Sequence, residues 1–391
     1  MMAADKKAVL LTGATGFLGS HLMIRLLQKG YQLQVLGRPG KARSLRERLL
    51  NLLNWFAAGQ FADRVTVFET DFEKKDLGLS RQDYAQLCAK EPMVIHCAAD
   101  TNFAERNRQR VMATNVHALA GILELVKAGR SSFFHYFSTA YAVGDVAGVV
   151  PELPEAAGRF HNIYEESKAL AESTVARYCK DFSIPYTIIR PAVVYGDSSS
   201  GRALKFNALY SPLKSLQMIK DIYLHDLQKN DGSKSAPYGI FIDADGCLHL
   251  PIRIFLPQAG CINLIPVDYF SAAALAIIEN PSAGKIYHIT SSTPSNMEIL
   301  AGYAERFLLL KGLQVVYHSP DKNTVFNPAE ELFDHFLKPY FPYLSDQRCF
   351  EKKNTDQVTD GLIPPELSYD IFARCMEYAR AVEWGKAFRD F

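Results

Sequence analysis

Three groups of residues in this 391-residue chain have the types and spacing to do chemistry. Leu10, Leu11, Thr12, Gly13, Ala14, Thr15, Gly16, Phe17, Leu18 and Gly19 place glycines three residues apart, just after a short apolar run. Gly13 would permit a tight turn, Gly16 would let the backbone approach a pyrophosphate, and Gly19 would let a helix pack closely on a strand. The phosphates would sit at the positive N-terminus of that helix. Between a strand and a helix, this spacing predicts a dinucleotide-binding turn rather than a plain tight loop.

The second group is Leu36, Gly37, Arg38, Pro39, Gly40 and Lys41, at the end of the next β-rich run. An Asp or Glu at such a position would bind the adenosine ribose hydroxyls of NAD. Here the acid is missing, and Arg38 is placed to pair with a 2'-phosphate, so NADPH is the expected cofactor. Lys41, Arg43, Arg46 and Arg48 make the same loop basic, with Arg48 a second candidate contact; a solvated basic loop is the plainer reading. The third group is Tyr164 with Lys168, a spacing that stacks a phenol and an ammonium on one face of a helix. Tyr210 with Lys214 has the same spacing, but it contains Pro212 and reads as an ordinary surface loop.

These groups need a scaffold, and the chain is long enough for one enlarged domain or two fused ones. Hydrophobic residues make up 48% and charged residues 22%, proportions that support a large core and exclude a disordered chain. Forty-three Lys and Arg against 42 Asp and Glu leave a net charge of +1, so no overall field recruits nucleic acid or an anionic membrane. Seven cysteines without a C-x-x-C pair suggest reduced thiols, and no metal site is expected. The first residues carry too short an apolar run for a secretory signal, and no stretch approaches the ~18 apolar residues of a membrane span. A soluble, cytoplasmic protein is expected.

Short β-rich runs occur near Ala8–Thr12, Gln32–Leu36, Val65–Phe68, Met93–His96, Phe133–Ser138 and Tyr186–Arg190, with helical stretches between them, including Phe17–Lys29 and Tyr164–Asp181. This alternation predicts an α/β fold with a parallel sheet covered on both faces. Residues 1–196 form the expected cofactor domain. Residues 197–260 read as an irregular substrate-side insertion, and residues 261–290 return to the sheet through a strand at Lys285–Thr290. Residues 291–391 read as a smaller, mainly helical substrate-binding region, with helices at Met297–Leu310 and Ser368–Trp384. The insertion and the C-terminal region should flank the reacting centre, with Ile252–Leu256 either bounding an apolar channel or packing simply as strand or core.

Together these residues resemble the extended short-chain dehydrogenase/reductase superfamily, and more narrowly its thioester-reductase and fatty acyl-CoA reductase branch. The narrower likeness rests on Thr70–Asp71–Phe72 with Leu77–Gly78–Leu79–Ser80, on Val94 to Phe103, and on Thr114–Asn115–Val116. Arg190 to Asp197 and Asn263 to Tyr269 extend it, so that it covers roughly residues 8 to 290. The resemblance implies a Rossmann-type doubly wound sheet. It makes Asp71 and Phe72 adenine contacts, Ala98 and Ala99 the cofactor wall, and Pro191, Ala192 and Val193 neighbours of the nicotinamide. The glycine turn from Thr12 to Gly19 completes the cofactor set. Thr139, Tyr164 and Lys168 become the catalytic residues, and Asn115 a support for the active-site helix and a proton relay; its plainer reading is a helix Asn satisfied by backbone.

Hydride addition to a carbonyl builds negative charge on oxygen, which a donor must meet. Tyr164 would supply the proton, its pKa lowered by Lys168, while Thr139 holds the oxygen and Lys168 also holds the nicotinamide ribose. On a thioester the product hemithioacetal can expel thiol and leave an aldehyde, so no cysteine nucleophile is needed. Cys97 and His96 therefore read as packing residues. The leading expectation is NADPH-dependent reduction of an acyl thioester, or of the derived aldehyde or ketone, with the substrate delivered by CoA or a separate carrier protein. The assembly is left open, a homodimer included. A dehydrogenase or epimerase of 3-hydroxy/3-oxo lipids, steroids or sugar nucleotides competes, because fold does not settle substrate. A non-catalytic NADPH sensor would have no need of Thr139, Tyr164 and Lys168 together.

Overall fold

The computed structural model describes residues 8–89, 91–154 and 158–388. Seven parallel strands form its main sheet: β1 (Ala8–Thr12), β2 (Gln32–Gly37), β3 (Val65–Glu69), β4 (Met93–His96), β5 (Phe133–Phe137), β6 (Tyr186–Pro191) and β7 (Lys285–Ile289). Their order is β7-β6-β5-β4-β1-β2-β3, so the chain reverses direction across the sheet between β1 and β4. That reversal opens a crevice beyond the carboxyl ends of the strands, where such sheets bind ligands. Thr12 pairs with both Leu36 and His96 and brings three strand ends to the crevice.

Both faces of the sheet are covered, as expected for buried parallel strands. Val9 and Leu11 pack with Leu22, Met23 and Leu26 on one side, whereas Leu10, between them, joins Leu119, Ile122 and Val126 on the other. This two-residue alternation places helices above and below. The continuous helical run Glu105–Ala128 is long and apolar enough to cross a membrane by length and composition, with 44% of its most apolar window buried. Leu119, Ile122, Leu123 and Val126 use that apolarity against the sheet. The run changes pitch at a π-helical turn, Ala113–His117, of the kind often found at functional sites.

The insertion is more regular than its sequence suggests. Tyr210–Lys229 is a 20-residue helix that buries Tyr210, Leu213, Leu216, Ile219 and Tyr223 at three- and four-residue steps. Pro212 sits in its first turn, where its missing N–H costs nothing. Tyr210 is thus a core residue, 1% exposed, and its hydroxyl accepts from the Gly196 N–H at 2.9 Å; it is no surface loop tyrosine. Of the two readings of Ile252–Leu256, strand and core packing is the one the structure shows. Ile252–Phe255 lies within the strand Leu248–Phe255, paired in parallel with Leu310–Val316, and Ile252, Ile254 and Leu256 are buried in the core.

In the C-terminal region the helix Met297–Leu308 stops before the expected Leu310, because Leu309 takes a left-handed φ of 52° and leads into that strand. Ser368 caps the helix Tyr369–Ala381 by accepting from the Ile371 N–H, as its type and place suggest. The short turns Lys338–Tyr340 and Phe341–Leu344 come back over the crevice.

Candidate active site

The turn after β1 has little room for anything but glycine. Gly13 has φ +75°, and a Cβ there would lie 2.6 Å from the backbone of Cys97 and Ala98. At Gly19 a Cβ would lie 2.2 Å from the Gly13 carbonyl oxygen, so this glycine does let helix and turn touch. Gly16 caps the helix Phe17–Gln28 without any side-chain hydrogen bond. Its first-turn N–H groups, with the positive end of the helix dipole, suit a pyrophosphate. Thr15, Gly16, Phe17 and Leu18 all line a cavity of about 970 Å³ that extends to Tyr164 and Lys168.

At one end of that cavity two guanidinium groups converge. Arg48 donates to the Arg38 carbonyl at 3.2 Å and to the Thr15 hydroxyl at 3.0 Å, tying the loop after β2 to the turn after β1. Burial lowers the Arg48 pKa, and the Arg38 charge adds to the lowering. Two guanidiniums lining one end of a cavity suit a phosphate dianion. Asp71 and Phe72 after β3, Ala98 and Ala99 after β4, and Pro191, Ala192 and Val193 at the end of β6 also line the cavity.

Thr12 does not join that lining. It is fully buried, its hydroxyl 2.9 Å from His96 Nδ1 and accepting from the Ala98 N–H at 3.3 Å. Thr12 therefore braces the wall from behind, a correction to its expected cofactor contact. His96 stacks on Tyr136, and burial takes its pKa down to about 3, which keeps it a neutral packing residue. Burial pushes the Cys97 thiol up to about 11, so it is no ready thiolate.

The candidate catalytic residues Tyr164 and Lys168 sit on the helix Ile163–Asp181. Asn162 caps it by accepting from the Glu165 N–H, which puts Tyr164 in the first turn and Lys168 one turn later on the same face. Thr139, at the end of β5, lines the cavity with both. The Lys168 ammonium donates to the Phe137 carbonyl at 2.6 Å and to the Tyr136 hydroxyl at 3.3 Å, while burial brings its pKa from 10.5 to about 8. The expected lowering of the Tyr164 pKa is not what the site shows. Burial raises this phenol well above the tyrosine range, Cys97 adds to the rise, and the Thr139 hydrogen bond opposes it. Burial thus keeps the Tyr164 phenol protonated at neutral pH.

Asn115 lies in the π-helical turn and is 2% exposed. It accepts from the Asp100 N–H at 2.7 Å and donates to the Asp100 carbonyl and the Ser167 hydroxyl, both at 2.9 Å. It thus supports the active-site helix through Ser167. The proton-relay role lacks this support, because both ends of the amide are already engaged away from the cavity.

Several lining residues are absent from the sequence reading as functional groups. Phe103 lies 6.0 Å from the Tyr164 ring, 5.5 Å from Tyr343 and 6.2 Å from Tyr340, centroid to centroid. Leu204, Lys205, Asn207 and Ala208 of the insertion and Pro339, Tyr340 and Tyr343 of the C-terminal region complete the walls. Both regions therefore contribute walls to the cavity, through residues other than Ile252–Leu256. No local motif marks them, since they meet only through the tertiary fold.

This fold and site define an NAD(P)H-dependent oxidoreductase of the extended short-chain dehydrogenase/reductase type. Residues 11–274 match the model of the male sterility protein family, and the chain belongs to that family. It is 27% identical over 380 residues to a nonribosomal peptide synthetase of Aspergillus flavus, covering 90% of this chain and 33% of that protein. It is 26% identical over 233 residues to fatty acyl-CoA reductase 2 of Mus musculus, covering 50% of this chain and 45% of that protein. The chain thus spans less than half the length of these curated relatives. Among solved structures, the terminal R domain from the myxalamid PKS-NRPS biosynthetic pathway has a TM-score of 0.74 at 21% identity, covering 99% of this chain and 93% of that one. A UDP-glucuronic acid 4-epimerase from Bacillus cereus has a TM-score of 0.64 at 17% identity, covering 96% and 99%. At such identities the structural likeness is one of fold.

Proposed function

We propose that the chain uses NADPH to reduce an acyl thioester, carried by CoA or by a separate carrier protein, or the aldehyde or ketone derived from one. The observation that carries this reading is one continuous cavity with the Arg38 and Arg48 guanidiniums at one end and Thr139, Tyr164 and Lys168 at the other. The relatives named as a peptide synthetase and a fatty acyl-CoA reductase support the acyl substrate. Seven unbridged cysteines suit a reducing compartment such as the cytoplasm.

The cofactor fits the residues present: a helix start after Gly16 with no side-chain cap, a turn that excludes side chains at Gly13, and cations at Arg38 and Arg48 for a 2'-phosphate. When bound, NADPH supplies hydride. The chain's own part is to meet the charge that grows on the carbonyl oxygen. Tyr164, kept protonated by burial, gives that oxygen its proton, and Thr139 orients it with a second hydrogen bond. Lys168, held by Phe137 and Tyr136, places a positive charge beside the donor. The aromatic faces of Phe103, Tyr340 and Tyr343 exclude water from the reacting carbonyl.

The test is the loss of NADPH absorbance with a panel of acyl-CoA, carrier-bound acyl, aldehyde and 3-oxo compounds. Thioester-dependent oxidation of NADPH with release of free thiol is expected. Binding of NADPH without turnover on any member would instead identify a sensor. Turnover of aldehydes or 3-oxo compounds alone would set the thioester aside.

A further inference from the structure

Glu165, the residue after Tyr164, is a carboxylate with no solvent exposure. One of its oxygens accepts from the His161 backbone N–H at 3.0 Å and lies 3.3 Å from His161 Nδ1. The other accepts a 2.6 Å hydrogen bond from the Tyr343 hydroxyl. Tyr343 comes from the short C-terminal turn Phe341–Leu344, and its oxygen also accepts from the Asn162 side-chain amide at 2.6 Å. A carboxylate at the third helical position commonly reaches back to the helix start. A tyrosine brought in from a distant segment is no part of that local motif.

The contacts close on themselves. The Tyr164 ring packs on Phe103, Phe103 packs on Tyr343, and Tyr343 is bonded to Glu165, which is covalently next to Tyr164. We propose that Glu165 and Tyr343 are positioning residues that, through Phe103, hold the Tyr164 phenol in one orientation toward the reacting carbonyl. The role rests on Tyr164 being the proton donor and is independent of which carbonyl compound is the substrate. It also explains why a buried carboxylate stands where an apolar residue would fill the same space at no desolvation cost.

A purely structural link would contribute only stability, so the test reads catalysis and geometry apart from folding. Tyr343→Phe keeps the ring against Phe103 and removes the hydroxyl. On whichever carbonyl the parent reduces, kcat should fall roughly ten- to a hundredfold while KM and the NADPH dissociation constant stay within about twofold. Glu165→Gln keeps an oxygen that accepts from Tyr343 and should retain most of kcat, whereas Glu165→Met should lose it as Tyr343→Phe does. Unchanged kcat in Tyr343→Phe, or equal losses in the Gln and Met variants, would overturn the proposal. Crystal structures of the parent and Tyr343→Phe give a readout that needs no turnover. Tyr164 should adopt a displaced or second rotamer in the variant, and an unmoved Tyr164 would overturn the positioning role even if the thioester reading itself had failed.

Discussion

The Arg48 guanidinium reaches the Thr15 hydroxyl at 3.0 Å, so a side chain from the helix Leu45–Trp55, which follows β2, closes over the turn after β1. Arg48 also donates to the Arg38 backbone carbonyl, so two cations from the segment after β2 line the same cavity. A charge-assisted bond to phosphate contributes on the order of 1.5 to 3 kcal/mol, about ten- to a hundredfold. The protein should therefore bind NADPH at least about tenfold more tightly than NADH. Arg38→Asp should narrow or invert that preference, and Arg48→Gln should weaken NADPH more than NADH. Titration calorimetry with both cofactors measures this; equal dissociation constants in the parent would refute the phosphate assignment.

Tyr164→Phe retains the ring against Phe103 and removes the acid. Turnover should drop by roughly two to four decades while NADPH binding survives. Normal turnover in this variant would reassign the proton donor.

Lys168 sets a pH dependence whose sign follows from burial. Its pKa is brought down from 10.5 to about 8, so the ammonium beside Tyr164 is lost as pH rises through about 8. kcat/KM should show an alkaline limb near that pH, and Lys168→Met should abolish the limb along with most of the activity. Stability moves the other way. Below about 8 both folded and unfolded chains hold the proton, at a constant cost to the fold. Between about 8 and 10.5 only the unfolded chain holds it, so this contribution to stability rises with pH. Melting curves of parent and Lys168→Met across that window check the sign.

Gly13→Ala would force a left-handed φ on a residue with a Cβ and drive that Cβ to 2.6 Å from Cys97 and Ala98. Strain of about 1 to 3 kcal/mol arises from the backbone alone, and the clash adds to it. Urea unfolding should show the loss, and NADPH affinity should fall with it. A variant as stable as the parent would mean that the turn relaxes freely.

Arg190 on β6 makes two bonds to Glu172 of the active-site helix, at 2.9 and 2.6 Å, with both side chains nearly inaccessible. Arg190→Met leaves a buried carboxylate unpaired and should cost about 3 to 5 kcal/mol in urea unfolding. The double variant Arg190→Met, Glu172→Met removes both charges and should recover much of that loss. Equal destabilisation of the single and double variants would show that the pair matters for its volume rather than its charge.

The six strands up to β6 and the glycine turn were legible because period and turn chemistry are local. Arg38, Tyr164 and Lys168 were legible because each stands at a fixed step from a strand end or helix start. The Tyr210–Lys229 helix was obscured by Pro212 and Ser211 at its beginning, although its buried residues keep a helical step. Thr12 was misplaced because a strand-end hydroxyl can face the ligand or the wall behind it, and spacing does not distinguish the two. The Tyr164 pKa was misjudged because Lys168 spends its hydrogen bonds on Phe137 and Tyr136, while burial acts on the phenol. Phe103, Glu165 and Tyr343 meet only after the C-terminal turn comes back over the crevice, which no local pattern announces.

β7 pairs with β6 from Lys285↔Thr187 to Ile289↔Pro191, yet the whole insertion lies between these two neighbours in the chain. The strand Leu248–Phe255 likewise waits for Leu310–Val316. A nascent chain that has been translated only through β6 therefore carries an open sheet edge with unpaired N–H and C=O groups, a template for pairing with other chains. Non-local closures of this kind are slow, and the partly built sheet is exposed to aggregation until they occur. Truncation after residue 196 would make that transient edge permanent. The cofactor half, although its motifs lie in the first two hundred residues, depends on a later strand to cover this edge.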